Sequence, residues 1–161
     1  MTRLSHHLPS LALALALSAP LPAAAEQVTL PFRLVTQPIS ETVQPAPTGP
    51  DRSVSVSINV GTAVFEDGRI AHKTFVTYGD DGAESGTFTG YSAYIFENGD
   101  RLNLRFVGGW SSERVGGDYE VLSGTGAFEG ATGTGSFDHA GADWEGATLW
   151  NGKFVLDMPG S

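Results

Sequence analysis

Cysteine is absent from all 161 residues, which excludes disulfides, thiol chemistry and lipid attachment at an N-terminal cysteine. Basic side chains are scarce, nine against eighteen acidic ones, for a net charge of −9. Such a surface repels phosphate backbones and anionic lipid, so nucleic acid and membrane surfaces are poor partners. The charges are dispersed and form no acidic tail, as expected of a solvated face. Long hydrophobic runs are missing as well. The one apolar run, residues 11–17, is too short to span a bilayer, so no membrane span is expected. No segment shows a convincing helical period.

The apolar run belongs to an N-terminal address. Arg3 supplies its positive end, and Ala23, Ala24 and Ala25 supply small residues for cleavage. Cleavage after Ala25 removes 25 of 161 residues and leaves 136, enough for one domain with a modest core. Losing Arg3 takes the net charge from −9 to −10. The expected product is periplasmic or secreted. Three segments follow from this reading: a signal peptide at 1–25, an N-terminal strand and Pro-rich linker at 26–51, and a β-barrel core at 52–161.

Glycine is what the chain has in quantity. Residues 123–137 hold five, at positions 124, 126, 130, 133 and 135, with Phe128 and Phe137 among them. Glycine admits close backbone approach or a sharp bend, and weakens the strand it sits in. This density suits a small, strongly curved barrel wall. A phosphate loop is the competing reading and fails on spacing. Gly124-x-Gly126-x-x-x-Gly130 is no nucleotide fingerprint, no Lys-Ser/Thr pair follows, and no helix opens behind it.

Elsewhere the period is two. Residues 27–37 read as a first strand, with Pro31 pointing to an edge or bulge. Pro38, Pro45, Pro47 and Pro50 then mark a linker or extended strap. Val54, Val56, Ile58 and Val60 alternate with Ser55, Ser57 and Asn59, the pattern of a half-buried strand. Asp67-Gly68 and Asn98-Gly99 suit two-residue type I′ hairpins. Further strands are expected at 62–66, 69–78, 85–97, 101–109, 117–124, 132–139 and 144–156. Seven to nine evenly spaced strands without a helix define an all-β antiparallel barrel or sandwich. Phe88, Ser92, Tyr94 and Phe96 share one face, as do Leu102, Leu104 and Phe106. Trp144, Thr148, Trp150, Phe154 and Leu156 share the face of the last strand, with Asn103, Arg105, Glu145, Asn151, Lys153 and Asp157 turned to solvent.

These residues also carry a resemblance. Gly99-Asp100-Arg101-Leu102-Asn103-Leu104, the strand at 119–123 and the run from Gly124 through Phe128 to Gly133 resemble the allene oxide cyclase barrel superfamily. That group includes plant dirigent proteins and many exported bacterial proteins, and the resemblance covers roughly residues 86–156. It implies an antiparallel eight-stranded, calycin-like β-barrel with an apolar central cavity, dimeric or trimeric in relatives. It also implies a style of activity: a reactive hydrophobic intermediate is held so that it closes in one stereochemical sense. Orientation and exclusion of water then replace acid–base machinery. Residues 27–51 do not match the family, so no catalytic residue is carried over.

Other chemistry has little support. His72 and His139 are the histidines of the cleaved chain, and both read as surface residues outside any metal-ligand cluster. Ser111-Ser112-Glu113 is a polar loop and no nucleophile elbow. Asp80-Asp81-Gly82 lacks the rest of a calcium loop and reads as a turn. No metal or cofactor is expected. The functional expectation is a small hydrophobic molecule bound by Phe88, Tyr94, Phe96, Phe106, Trp144 and Trp150. A cofactor-free cyclase or isomerase and a packed structural envelope barrel stay open as alternatives, as does homo-oligomerisation. A cavity above about 300 Å³ separates the first two from the third.

Overall fold

The turn signals and alternation are realised as eight antiparallel strands closed into one barrel. The computed structural model describes residues 26–160, so the expected leader at 1–25 lies outside the described residues. The strands are β1 (Glu26–Pro45), β2 (Ser53–Phe65), β3 (Ile70–Asp81) and β4 (Ser85–Phe96), followed by β5 (Arg101–Ser111), β6 (Val115–Thr125), β7 (Thr132–Trp144) and β8 (Ala147–Met158). Each pairs with the next, and β1 closes the ring on β8. The all-β antiparallel barrel is therefore as the sequence predicts.

Three boundaries differ from expectation, each for a local reason. Residues 53–60 and 62–66 form one strand, because Gly61 keeps its register opposite Thr36 and Lys73. Residues 38–45 extend β1 and form neither linker nor strap. Only residues 26–36 of β1 pair with β8, so its far half has β2 on one side alone and tolerates prolines. Pro38 lies at the bulge where the register shifts. Trp144 ends β7 instead of opening β8, since Gly146 turns the chain between them at φ +76°.

The two sharp hairpins are three-residue loops, not two-residue type I′ turns. The Phe65 N–H donates to the Arg69 carbonyl at 2.9 Å, and the Gly68 N–H to the Phe65 carbonyl at 3.0 Å. Phe96, Gly99 and Asp100 repeat this arrangement. Only the glycines, at φ +90° and +89°, take the left-handed conformation, which leaves Asp67 and Asn98 free to accept from the backbone two residues on.

Inward-facing side chains pack most densely at the pole bearing these hairpins. Phe32, Phe65, Tyr94 and Phe154 are at most 5% exposed, and their rings lie 4.9 to 6.5 Å apart. The glycine-rich stretch closes this pole. Gly126 and Gly130 shape a turn with positive φ, whose Phe128 packs 4.7 Å from Phe96. Gly135 lies directly beneath Phe154, where an added Cβ would come within 2.7 Å of the ring. The Arg69 guanidinium covers Phe96 and Phe128 from outside at 5.5 Å.

On β2 the apolar face is the outer one. Ser57 and Asn59 of β2 line the lumen, while Val54, Val56 and Ile58 stand outside at 43 to 48% exposure. Tyr78 and Tyr91 extend this apolar outer face across β3 and β4. Arg105 and Lys153 are exposed, as expected of their parity.

Candidate functional site

Towards the other pole the lumen stays hollow. A cavity of about 340 Å³ opens between the strands, with an aromatic body and a polar rim. Phe88 and Phe106 come from neighbouring strands, with Phe137 and Trp150 facing them from β7 and β8. Their rings stand 5.7 to 6.3 Å apart, mostly tilted or edge-on, the spacing of packed aromatic surfaces. Thr36, Ser57, Asn59, Thr77 and Thr148 add short polar groups to the lining. The Trp150 indole N–H donates to Thr36 Oγ1 at 2.9 Å and so fixes one wall.

The six residues singled out from sequence separate into three groups. Phe88, Phe106 and Trp150 line the cavity. Tyr94 is fully buried beneath it, and Phe96 lies farther down in the packed pole against Phe65 and Phe128. Trp144 is 57% exposed beside the β7–β8 turn and takes no part in the lining, a consequence of Gly146 placing it on β7.

The residue that sequence reasoning missed is Lys73. Its side chain enters the lumen from β3, only 4% exposed, at the base of the cavity. Nζ donates to the Tyr119 hydroxyl at 2.9 Å, and that hydroxyl lies 3.1 Å from the hydroxyl of Tyr94. Phe75 stands over the amine with its centroid 4.1 Å away, and Tyr119 and Phe106 follow at 5.2 and 5.5 Å. Burial pulls the Lys73 amine down to about 7, since little water remains to solvate its charge. The same burial pushes both phenols above the ordinary tyrosine range. The sequence held a signal for this arrangement: Ala71, Lys73 and Phe75 form the inward parity of β3, and His72 is exposed on the other.

The remaining candidates have structural roles. Asp81 accepts from the Trp110 indole at 2.7 Å and from Ser55 Oγ at 3.3 Å, bracing the mouth. Asp80 pairs with Arg52 on the surface, and that hydrogen bond holds its carboxyl below the usual range. Ser111 Oγ accepts from the backbone of Glu113 at 3.2 Å, as a turn serine does. His139 is half-buried rather than exposed, edge-on to Trp150 at 5.9 Å. Among the described residues no group of three or more histidine, aspartate or glutamate side chains could hold a metal.

No protein-family model matches this chain, and no curated protein matches it. Solved structures do. The barrel is similar to the pterocarpan synthase dirigent protein GePTS1, with a TM-score of 0.58 over 85% of this chain and 93% of that one. The pterocarpan synthase dirigent protein PsPTS1 gives 0.57 over 86% and 99%. Sequence identity is 14% in both, so the likeness is one of fold. The chain thus shares the eight-stranded barrel fold of these dirigent proteins, the fold that the resemblance at residues 99–133 implies.

Proposed function

We propose that this protein is an exported barrel that binds a small hydrophobic molecule in its central cavity. The observation that carries this reading is the hollow itself. About 340 Å³ bounded by six aromatic rings is room for one ligand of modest size, and a barrel serving only as scaffold has no use for it. The aromatic body supplies contact area, and the hydroxyls and amide of the rim supply orientation. A stereocontrolling cyclase or isomerase is the second reading. It draws on the two structural neighbours, whose names describe pterocarpan synthases, and on a cavity able to fix one conformer. Export rests on the leader pattern of residues 1–25. Association of copies through the apolar outer face of β2–β4 belongs to the same reading, because Val54, Val56, Ile58, Tyr78 and Tyr91 stand exposed together on it.

Native mass spectrometry of protein purified from its own cell envelope tests the proposal. A bound small-molecule mass on each protomer is the expected result, and the copy number is read in the same spectrum. Titration with the neutral dye N-phenylnaphthylamine then locates the site. Trp150→Ala removes a cavity wall and should weaken dye binding about tenfold, the equivalent of roughly 1.4 kcal/mol. Unchanged affinity would place the ligand elsewhere.

A further inference from the structure

The cavity has a feature that simple apolar binding does not use: an amine at its base. We infer that Lys73 is a nucleophile that captures an aldehyde, carried on a flat apolar body, as a reversible imine. The inference rests on the cavity reading above and specifies the chemistry of its occupant.

The placement of the amine is the first argument. Lys73 Nζ sits where the aromatic funnel ends, against Phe75, with Phe106 and Tyr119 around it. Any ligand that fills the hollow brings one end to this nitrogen. The second argument is the absence of a counter-charge. Among the described residues no carboxylate lies within 4 Å of Nζ, and its one hydrogen-bond partner is the Tyr119 hydroxyl at 2.9 Å. A lysine kept for structure alone would be expected to snorkel to water or pair with an acid. Burial without a counter-charge favours the uncharged amine, whose lone pair is the reactive form. Tyr119 orients it: accepting one N–H leaves the lone pair free, and the hydroxyl's own hydrogen can go to Tyr94.

The step balances without any co-reactant. The nitrogen lone pair forms the C–N bond as the carbonyl π pair moves to oxygen. One amine hydrogen passes to that oxygen and gives a carbinolamine. The C–O bond then breaks, the second amine hydrogen leaves with the hydroxyl as water, and the nitrogen pair closes the C=N bond. Nothing is oxidised or reduced, and water returning through the mouth reverses the reaction. An aldehyde fits better than a ketone because its carbonyl carbon carries a single substituent, and the amine is only 4% exposed.

The chain is well suited to the test, since Lys73 and Lys153 are its only lysines and Lys153 lies on the outer surface. Intact protein near pH 7 is treated with cinnamaldehyde and sodium cyanoborohydride, and the adduct is mapped by peptide mass. The expected product is one cinnamaldehyde, less its oxygen, on Lys73. It should form at least tenfold faster than on Lys153, be suppressed by N-phenylnaphthylamine, and lose its preference in urea. Lys153→Met, on the outer surface, should keep both dye binding and the fast adduct, whereas Lys73→Met should lose the fast adduct. Should that variant fail to fold, the ratio of the two lysines in native and urea-treated wild type decides alone. If the dye binds and cinnamaldehyde displaces it while Lys73 stays unmodified, the nucleophile is overturned and the binding cavity stands. If neither dye nor aldehyde enters the barrel, the binding reading falls as well, and the imine with it.

Discussion

The two poles of this barrel are built by the same eight strands, yet one is solid and the other hollow. At the packed pole the inward positions carry Phe32, Phe65, Phe96, Phe154 and Leu156, and Phe128 is folded in as a plug. At the open pole the equivalent positions of β1, β2, β3 and β8 carry Thr36, Ser57, Asn59, Thr77 and Thr148. A barrel of this strand number is just wide enough for large side chains to meet across its axis. Short side chains on one half of the ring therefore leave a void, and the rings opposite become its walls. The packed pole supplies stability, on the order of 1.5 to 3 kcal/mol per buried phenylalanine. The hollow pole spends part of that reserve on a binding site.

The same truncation made at each pole tests this division most sharply. Phe154→Ala, at a fully buried ring in contact with Phe32, Tyr94 and Tyr119, should cost about 3 to 5 kcal/mol. Phe88→Ala, at a half-buried ring already facing a void, should cost closer to 1 kcal/mol because little new cavity surface is created. Urea unfolding of the two variants measures the difference. Equal losses would show that the hollow is filled or collapsed in solution.

Lys73 lies where the poles meet and gives stability a distinctive pH dependence. Its folded value is about 7, below the ordinary lysine value near 10.5, so between these limits the unfolded chain binds more protons. Stability should therefore rise with pH from about 7 towards 10, by on the order of 3 kcal/mol. Below 7 both states are protonated and this contribution is flat. The buried phenols of Tyr94 and Tyr119 act in the opposite sense: their folded values are raised, so their contribution is lost as pH climbs past about 10. Lys73→Met should flatten the rise between 7 and 10 while leaving the alkaline fall. A wild-type profile flat across that window would mean that the amine is solvated, and the pole boundary lower than drawn.

Legibility in the sequence followed the same division. Strand number, the hairpin sites and the inward faces of β4 and β5 were readable, because Phe88 to Phe96 and Leu102 to Phe106 face a packed or aromatic lumen where apolar means inside. The rule fails on β2, which crosses into the hollow pole. Alternation there shows that the two faces differ without saying which is inward, and Val54, Val56 and Ile58 point out. Lys73 was hidden for the same reason: a charged residue is assigned to water unless the register that sets it opposite Tyr94 is known. Proline signals misled at 38–45, where a missing partner strand on one edge makes them harmless.

The finest test of the comparison uses two inward hydroxyls of similar burial. Thr36, at the hollow pole, is 7% exposed and accepts from the Trp150 indole. Ser92, on the inward face of β4 two residues from Tyr94, is 6% exposed, and its Oγ has no hydrogen-bond partner among the described residues. Thr36→Val keeps the shape but strands the indole N–H, and should destabilise by about 1 kcal/mol. Ser92→Ala removes a hydroxyl that has lost its water and gained nothing, so its effect should be near zero or stabilising by up to about 1 kcal/mol. Opposite signs in parallel thermal melts are the expected outcome. A loss from Ser92→Ala equal to that from Thr36→Val would mean that its hydroxyl is hydrogen-bonded in solution, and that water reaches behind the cavity wall at Phe75.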